Sequence, residues 1–331
     1  MKRRIAITGI AGFLGSHIAE ALLPEYEVIG FDNLSGGDRE NVPDGAILYE
    51  QDCQEITADD LAGVDTVFHC AALAHEGLSV FSPYTITESI FGASVAVFSA
   101  AIAAGVRRII FCSSMARYGK GPTPFSEFDT PRPQDPYGIA KVAAEKVLQL
   151  LSQVHGVEYI IAVPHNIVGP RQKYDDPFRN VASIMANRML QGQQPIVYGD
   201  GEQTRCFSDI RDIVPMFVKM IDGPQNFTVN IGPDEEEVTI NQLVKHLWDL
   251  IPEAPKMIDY VEDRPQEVKH AVCSANRARR TYGYKTRHLL VDTLESLVLH
   301  IRERGTKPFR YHLPVEISTA ATPITWREEL I

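Results

Sequence analysis

Three glycines at a fixed spacing constrain this chain more than anything else in it. Gly9-Ile10-Ala11-Gly12-Phe13-Leu14-Gly15 follows a short apolar run, Ile5 to Thr8, and leads into a helical pattern over Phe13 to Leu23. A strand, a G-x-x-G-x-x-G turn and a helix, in that order, open a dinucleotide-binding βαβ unit. Gly9 permits the tight turn, Gly12 lets backbone approach a pyrophosphate, and Gly15 allows helix and strand to pack closely. The helix N-terminus then presents its free N–H groups to the phosphates. Asp32 closes the second strand, 20 residues after Gly12. A carboxylate there accepts hydrogen bonds from the adenosine ribose and repels a 2′-phosphate, which favours NAD over NADP.

The alternation continues. Apolar strand runs recur at 28–31, 47–49, 66–69, 108–113 and 159–163, separated by helical patterns near 84–104 and 137–153. Continuous apolar strands between helices imply parallel pairing with both faces covered. The expected fold is α/β: a Rossmann doubly wound parallel sheet with a smaller α/β substrate-binding domain. Residues 1–165 are assigned to the first, with later returns near 206–232. Residues 166–331 form mainly the second, with a C-terminal tail from 306 that is assigned only as docked. In that half, a helix is expected from Asp176 to Gln191 and a turn at Gly199-Asp200-Gly201. Glu235-Glu236-Glu237 reads as a solvated loop.

Composition narrows the function. The 331 residues carry 32 Lys+Arg against 43 Asp+Glu, a net charge of −11. That sign argues against a nucleic-acid binder. Five widely spaced cysteines without a CxxC form neither a disulfide framework nor a zinc site, and no metal is expected. They fit a reducing, cytoplasmic setting. The basic and apolar start, Lys2 to Leu14, is interrupted by glycines and reads as a buried strand rather than a signal peptide. The longest apolar run, Val95 to Val106, is too short to span a bilayer.

Tyr137-Gly138-Ile139-Ala140-Lys141 is Y-x-x-x-K, preceded by Pro136. On a helix, that spacing puts phenol and ammonium on one face. A lysine and a nicotinamide cation both favour phenolate, giving a general base near neutral pH. Cys112-Ser113-Ser114 ends the preceding strand, where a parallel sheet opens towards its ligand crevice. Arg205 and Arg264 lie outside the glycine-rich half and suit a second diphosphate ligand, since guanidinium forks match phosphate oxygens.

Together these segments resemble the extended short-chain dehydrogenase/reductases acting on nucleotide sugars, especially the UDP-galactose (UDP-hexose) 4-epimerase-like group. The likeness runs to about residue 303. Thr8 to Gly15 resembles the family's TGxxGFxG, which adds Phe13 and Leu14 to the cofactor contacts. Asp52-Cys53 resembles its adenine contact and His69-Cys70-Ala71-Ala72 its HxAA, with Asn33 beside Asp32. FCSSMARYG, Phe111 to Gly119, resembles the SSSxxVYG segment and places Ser114 on the catalytic Ser/Thr, with Tyr137 and Lys141 completing the set. HNIVGPR, from His165, resembles the segment whose asparagine, here Asn166, contacts the nucleotide sugar. GDGEQTRCF and Asp263-Arg264-Pro265 resemble the two diphosphate-gripping segments. Asn180, Tyr198 and Ala271 match further sugar-nucleotide positions, Ala271 being a gate whose small side chain admits an acetamido group.

The resemblance also sorts the chemistry. Family dehydratases carry Asp-Glu where this chain has Met115 and Ala116, decarboxylases a Glu at Ala116, and 3,5-epimerases a Cys there. What remains is Ser114, Tyr137 and Lys141, a set sufficient for reversible hydride transfer at one carbon. The expected activity is an NAD-dependent nucleotide-sugar 4-epimerase with a UDP-sugar substrate and a homodimeric assembly. A 4-dehydrogenase or 4-ketoreductase with exchanging cofactor, and a non-catalytic dinucleotide sensor, stay open as alternatives. Ser89, Ala74 and Val163-Pro164-His165 depart from the family pattern. Arg117 replaces a usual Val and either meets an anionic ligand group or pairs with a neighbouring acid. The latter is favoured. His69 is read as a core histidine and Met115 as pocket wall.

Overall fold

In the computed structural model, which describes residues 2–331, the first half is built of six strands and the helices between them. The strands are β1 (Arg4–Thr8), β2 (Glu27–Asp32), β3 (Ile47–Glu50), β4 (Val64–His69), β5 (Arg108–Cys112) and β6 (Glu158–Pro164). The helices are α1 (Phe13–Leu22), α2 (Glu76–Ser79), α3 (Pro83–Thr87), α4 (Ala93–Ala103) and α5 (Pro136–His155). The second half has shorter pieces: β7 (Ile167–Val168), α6 (Val181–Leu190), β8 (Ile196–Tyr198), β9 (Thr204–Cys206), β10 (Ser208–Asp209), α7 (Ile210–Met220) and β11 (Phe227–Ile231). It continues with β12 (Glu237–Thr239), α8 (Ile240–Leu250), β13 (Asp259–Val261), β14 (His270–Ala271), α9 (Asn276–Tyr282), α10 (Leu290–Arg304) and α11 (Ile324–Arg327).

Seven strands form one sheet in the order β11-β6-β5-β4-β1-β2-β3, and every neighbouring pair is parallel. Strand order reverses between β1 and β4. In an open α/β sheet, the crevice beyond the strand ends at such a reversal is the ligand site. Both faces are covered, which is why β1 and β5 carry the apolar runs 5–7 and 109–112. Ile18 and Leu22 of α1 pack with Ile213 and Phe217 of α7 on one face. Val97 and Phe98 of α4 pack with Ala144 and Leu148 of α5 on the other. A second core joins α6, α8 and α10 through Met185, Met189, Leu243, Leu247, Leu294 and Leu297.

The helix expected near 84–104 is present, and three other expectations need correction. The helix around residue 95 is longer than its apolar core: a π turn, Glu88–Gly92, fuses α3 and α4 into 21 residues, Pro83–Ala103. By length and composition that helix could cross a bilayer. It instead places Ile86, Ile90, Val97, Phe98 and Ala101 in the interior. The helix expected from Asp176 starts at Val181, because Asn180 is its N-cap and accepts from the Ala182 N–H at 2.9 Å. Asp176 is consumed elsewhere, accepting from the Phe178 N–H and meeting His75 Nε2 at 2.9 Å. The three glutamates at 235–237 are not a free loop. Glu235 pairs with Arg279, Glu236 accepts from the Leu290 N–H, and Glu237 begins β12.

The tail, unassigned from sequence, packs against Phe178 and Tyr198, which line the crevice, and its Ile331 lines it too. Trp326 meets Phe81 and Phe178 edge-on at 5.9 and 5.3 Å. The Thr325 hydroxyl bonds the Tyr198 phenol at 2.7 Å. Glu316 accepts from the Tyr84 and Thr85 N–H groups at 2.9 and 2.8 Å, placing negative charge at the N-terminus of α3.

Candidate active site

Every residue singled out above as catalytic, cofactor-binding or substrate-binding lines a single cavity of about 780 Å³. Its first half is the β1–α1 turn. Gly9 adopts φ +73°, and a Cβ there would lie 2.9 Å from the Ala71 backbone. Only glycine lets the ends of β1 and β4 come this close. Gly12 is the N-cap of α1 and offers no side chain to satisfy the first N–H groups. A pyrophosphate therefore fits this end. Asp32 is 7% exposed and accepts from the Ala11 and Leu34 N–H groups at 3.0 and 2.8 Å. Burial raises its pKa, against the pull of those N–H groups. Asn33 Nδ2 donates to Asp52 at 2.7 Å. Burial pushes the neighbouring Cys53 thiol up to about 12, so it is a neutral wall for a base. Cradle, carboxylate and neutral wall together fit NAD.

The centre of the cavity holds Ser114, Tyr137 and Lys141. Ser114 leaves β5 and caps a short turn, accepting from the Ala116 N–H at 3.2 Å. Asp135 caps α5 through the Gly138 N–H at 2.8 Å, and Pro136 occupies the first turn. These two signals start the helix one residue before the tyrosine. Tyr137 is 7% exposed and Lys141 3%. The Lys141 ammonium lies 5.9 Å from the Tyr137 ring centre and donates to the Cys112 carbonyl at 2.8 Å. The expected near-neutral phenol is not produced by the protein alone. Burial pushes the Tyr137 pKa up, Ser114 pulls it down, and Glu76 and Asp135 add to the rise. Burial lowers the lysine's pKa.

The far half carries the second ligand's residues. Arg205 and Arg264 reach a shared carboxylate, Glu267, at 2.8 and 2.6 Å. The Arg264 guanidinium lies 4.8 Å over the Tyr198 ring. Asn166, at φ 44°, donates to the Cys206 carbonyl at 3.0 Å. Ala271 pairs in register with Arg205 across β14 and β9. Met115, Ser89 and Ala74 also line the wall.

Two residues weighed from sequence stand aside from the chemistry. His69 is 1% exposed, bridges Thr8 and Ser94 at 2.7 and 3.0 Å, and is pushed down to about 3 by burial. Arg117 pairs with Glu145 at 2.9 Å in the interior. Sequence reasoning missed Glu76, Arg179, Glu267 and the terminal Ile331, all cavity-lining. Only Glu267 left a trace, its i,i+3 spacing from Arg264.

The model of the NAD dependent epimerase/dehydratase family matches residues 5–232. A putative UDP-glucose 4-epimerase of Methanocaldococcus jannaschii is 33% identical over 73% of this chain and 81% of its own length. A UDP-N-acetyl-alpha-D-glucosaminuronate decarboxylase of Bacillus cytotoxicus is also 33% identical, over 78% and 83%. Among solved structures, the UDP-glucose 4-epimerase of Thermotoga maritima, with UDP-glucose, superposes with a TM-score of 0.86 at 30% identity, covering 91% of this chain and 99% of that one. The chain belongs to the NAD-dependent epimerase/dehydratase family, and NAD is its cofactor.

Proposed function

We propose that the protein is a nucleotide-sugar 4-epimerase acting on a UDP-sugar. The observation that carries this reading is the content of the β5 end: Ser114 faces Tyr137, and the next two residues, Met115 and Ala116, bear no acid or base. Such a site moves one proton and leaves C5 and C6 untouched. Tyr137 takes the proton of the 4-hydroxyl, and Ser114 hydrogen-bonds the same oxygen. Lys141 stands behind the phenol and stabilises its anion. When bound, NAD supplies the hydride acceptor, the donor for the return step, and a positive charge beside the phenol. Arg205 and Arg264 hold the diphosphate while the keto sugar turns about it, and Asn166 and Asn180 line the same chamber. Homodimerisation belongs to this reading. It is supported by exposed Tyr84, Ile139, Leu150 and Val154 on the outer helices.

The test is product analysis by NMR with a UDP-sugar panel and no added cofactor. The expected result is an epimer of unchanged mass, with NAD retained through gel filtration. A product lighter by water or carbon dioxide, or stoichiometric NADH, overturns it. Tyr137→Phe is expected to lower kcat by about 10²–10⁴-fold while UDP-sugar binding persists.

A further inference from the structure

One acidic side chain of the cavity, Glu76, has no part in holding the diphosphate or in the proton transfer at Tyr137. Glu76 opens α2, and its carboxylate faces the cavity that holds Tyr137 and the two arginines. It makes no side-chain hydrogen bond or ion pair among the described residues, whereas Glu267 holds both Arg205 and Arg264. Glu76 feels the charges of Arg205 and Arg264, and Tyr137 in turn feels Glu76. A nucleotide sugar whose diphosphate lies on the arginines and whose reacting hydroxyl lies on Tyr137 must pass its glycosyl unit between them. Glu76 lines the same cavity, and the next residue, Gly77, lies against the Arg264 guanidinium.

The charge balance of this region is informative. Arg205 and Arg264 contribute two positive charges, and Glu267 and Glu76 contribute two negative ones. Of the other cavity-lining cations, Lys141 is committed to the Cys112 carbonyl, while Arg179 makes no ion pair among the described residues and acts on the His75–Asp176 pair. Arg117, the one unusual cation near the catalytic turn, is neutralised by Glu145. The chamber thus holds an unpaired carboxylate, and the cations that act on it are the two assigned to the diphosphate.

We propose that Glu76 is a specificity-determining residue that rejects nucleotide sugars carrying a carboxylate on the glycosyl unit and favours those presenting hydroxyl or amino donors. This rests on the nucleotide-sugar reading above. Like charges forced together in a partly desolvated chamber repel strongly, whereas a hydroxyl or ammonium satisfies the glutamate. Surrounding protein raises the Glu76 pKa, and Asp135 and Glu267 add to the rise while Arg205 and Arg264 oppose it. Lowering the pH therefore weakens the rejection by protonating Glu76.

The test uses Tyr137→Phe enzyme loaded with NAD, so that binding is read without turnover. UDP-glucose and UDP-glucuronate are titrated calorimetrically against this background with and without Glu76→Gln. Glucuronate is expected to bind about tenfold or more weakly than glucose, and Glu76→Gln to narrow that gap by about tenfold. In the background keeping Glu76, the gap is expected to be smaller near pH ~6 than near pH ~8, which serves should the variant fail to fold. Equal binding of the two sugars, or an unchanged gap at the lower pH and in Glu76→Gln, overturns the role of Glu76 alone. Failure of both sugars to bind overturns this proposal and the nucleotide-sugar reading together.

Discussion

Asp32 shows how one side chain serves structure and selectivity at once. Its two oxygens already accept the Ala11 and Leu34 N–H groups, which fixes the carboxylate at the end of β2. The remaining lone pairs face the cavity, where a ribose hydroxyl is welcome and a phosphate is not. NADP is expected to bind about 100-fold more weakly than NAD, and Asp32→Ser to narrow that ratio by about tenfold. Fluorescence titration of both dinucleotides checks it, and a wild-type ratio near unity would sink the assignment. Residues such as Asp32 and Gly9 were legible because their role depends on fixed distances along the chain. Glu76 was not, because its role depends on what the fold sets around it. The near-neutral phenol expected for Tyr137 illustrates the same limit. The Y-x-x-x-K spacing locates lysine and phenol together, but burial and two neighbouring carboxylates, invisible in the motif, push the pKa the other way.

Between elements, the pair Arg117–Glu145 ties the turn after β5 to α5. Glu145 is 1% exposed and accepts from Arg117 Nε and Nη2 at 3.0 and 2.9 Å, and from the Ser113 hydroxyl. The two elements so joined carry Ser114 on one side and Tyr137 with Lys141 on the other, so the pair sets the spacing of the catalytic groups. Removing one partner strands a buried charge. Glu145→Gln is expected to cost about 3–5 kcal/mol of stability. Urea unfolding measures it, and a loss below about 1 kcal/mol, the range of surface pairs, would contradict the assignment. The double replacement Arg117→Leu, Glu145→Leu should recover much of the loss, since an apolar pair of that size is tolerated where a lone charge is not. Elements with strong local signals were read closely from sequence, six strands of the sheet among them; β11 was covered only by the return near 206–232. The start of α6 was misplaced by five residues because Asp176 and Asn180 are both good caps. The choice between them was made by His75, about a hundred residues away.

At the scale of the whole molecule, the buried histidines make folding sensitive to mild acid. His69, His75 and His165 are each 1% exposed, and burial lowers all three below the ordinary 6.5, His69 to about 3. Each sits at a junction: His69 inside the sheet, His75 against Asp176 of the substrate half, and His165 on the Pro233 carbonyl beyond β11. A depressed folded-state pKa means that the unfolded chain takes up the proton first. Their contribution is therefore complete above 6.5 and drains away as the pH falls towards the folded values. Each histidine gives a slope of up to about 1.4 kcal/mol per pH unit within its window. Asp32, Asp135 and Glu76, raised by burial, act with opposite sign; the aspartate windows open upward from 3.8 and the single glutamate's from 4.5 to about 7, against three histidines. The histidines therefore govern the range just below 6.5. The urea midpoint is expected to be lower near pH ~5.5 than near pH ~7.5, with the unfolded protein taking up protons. A midpoint that is flat or rises over that interval would mean that these rings are already charged in the folded protein. The neutral hydrogen bonds that join sheet, substrate half and tail would then have to be redrawn.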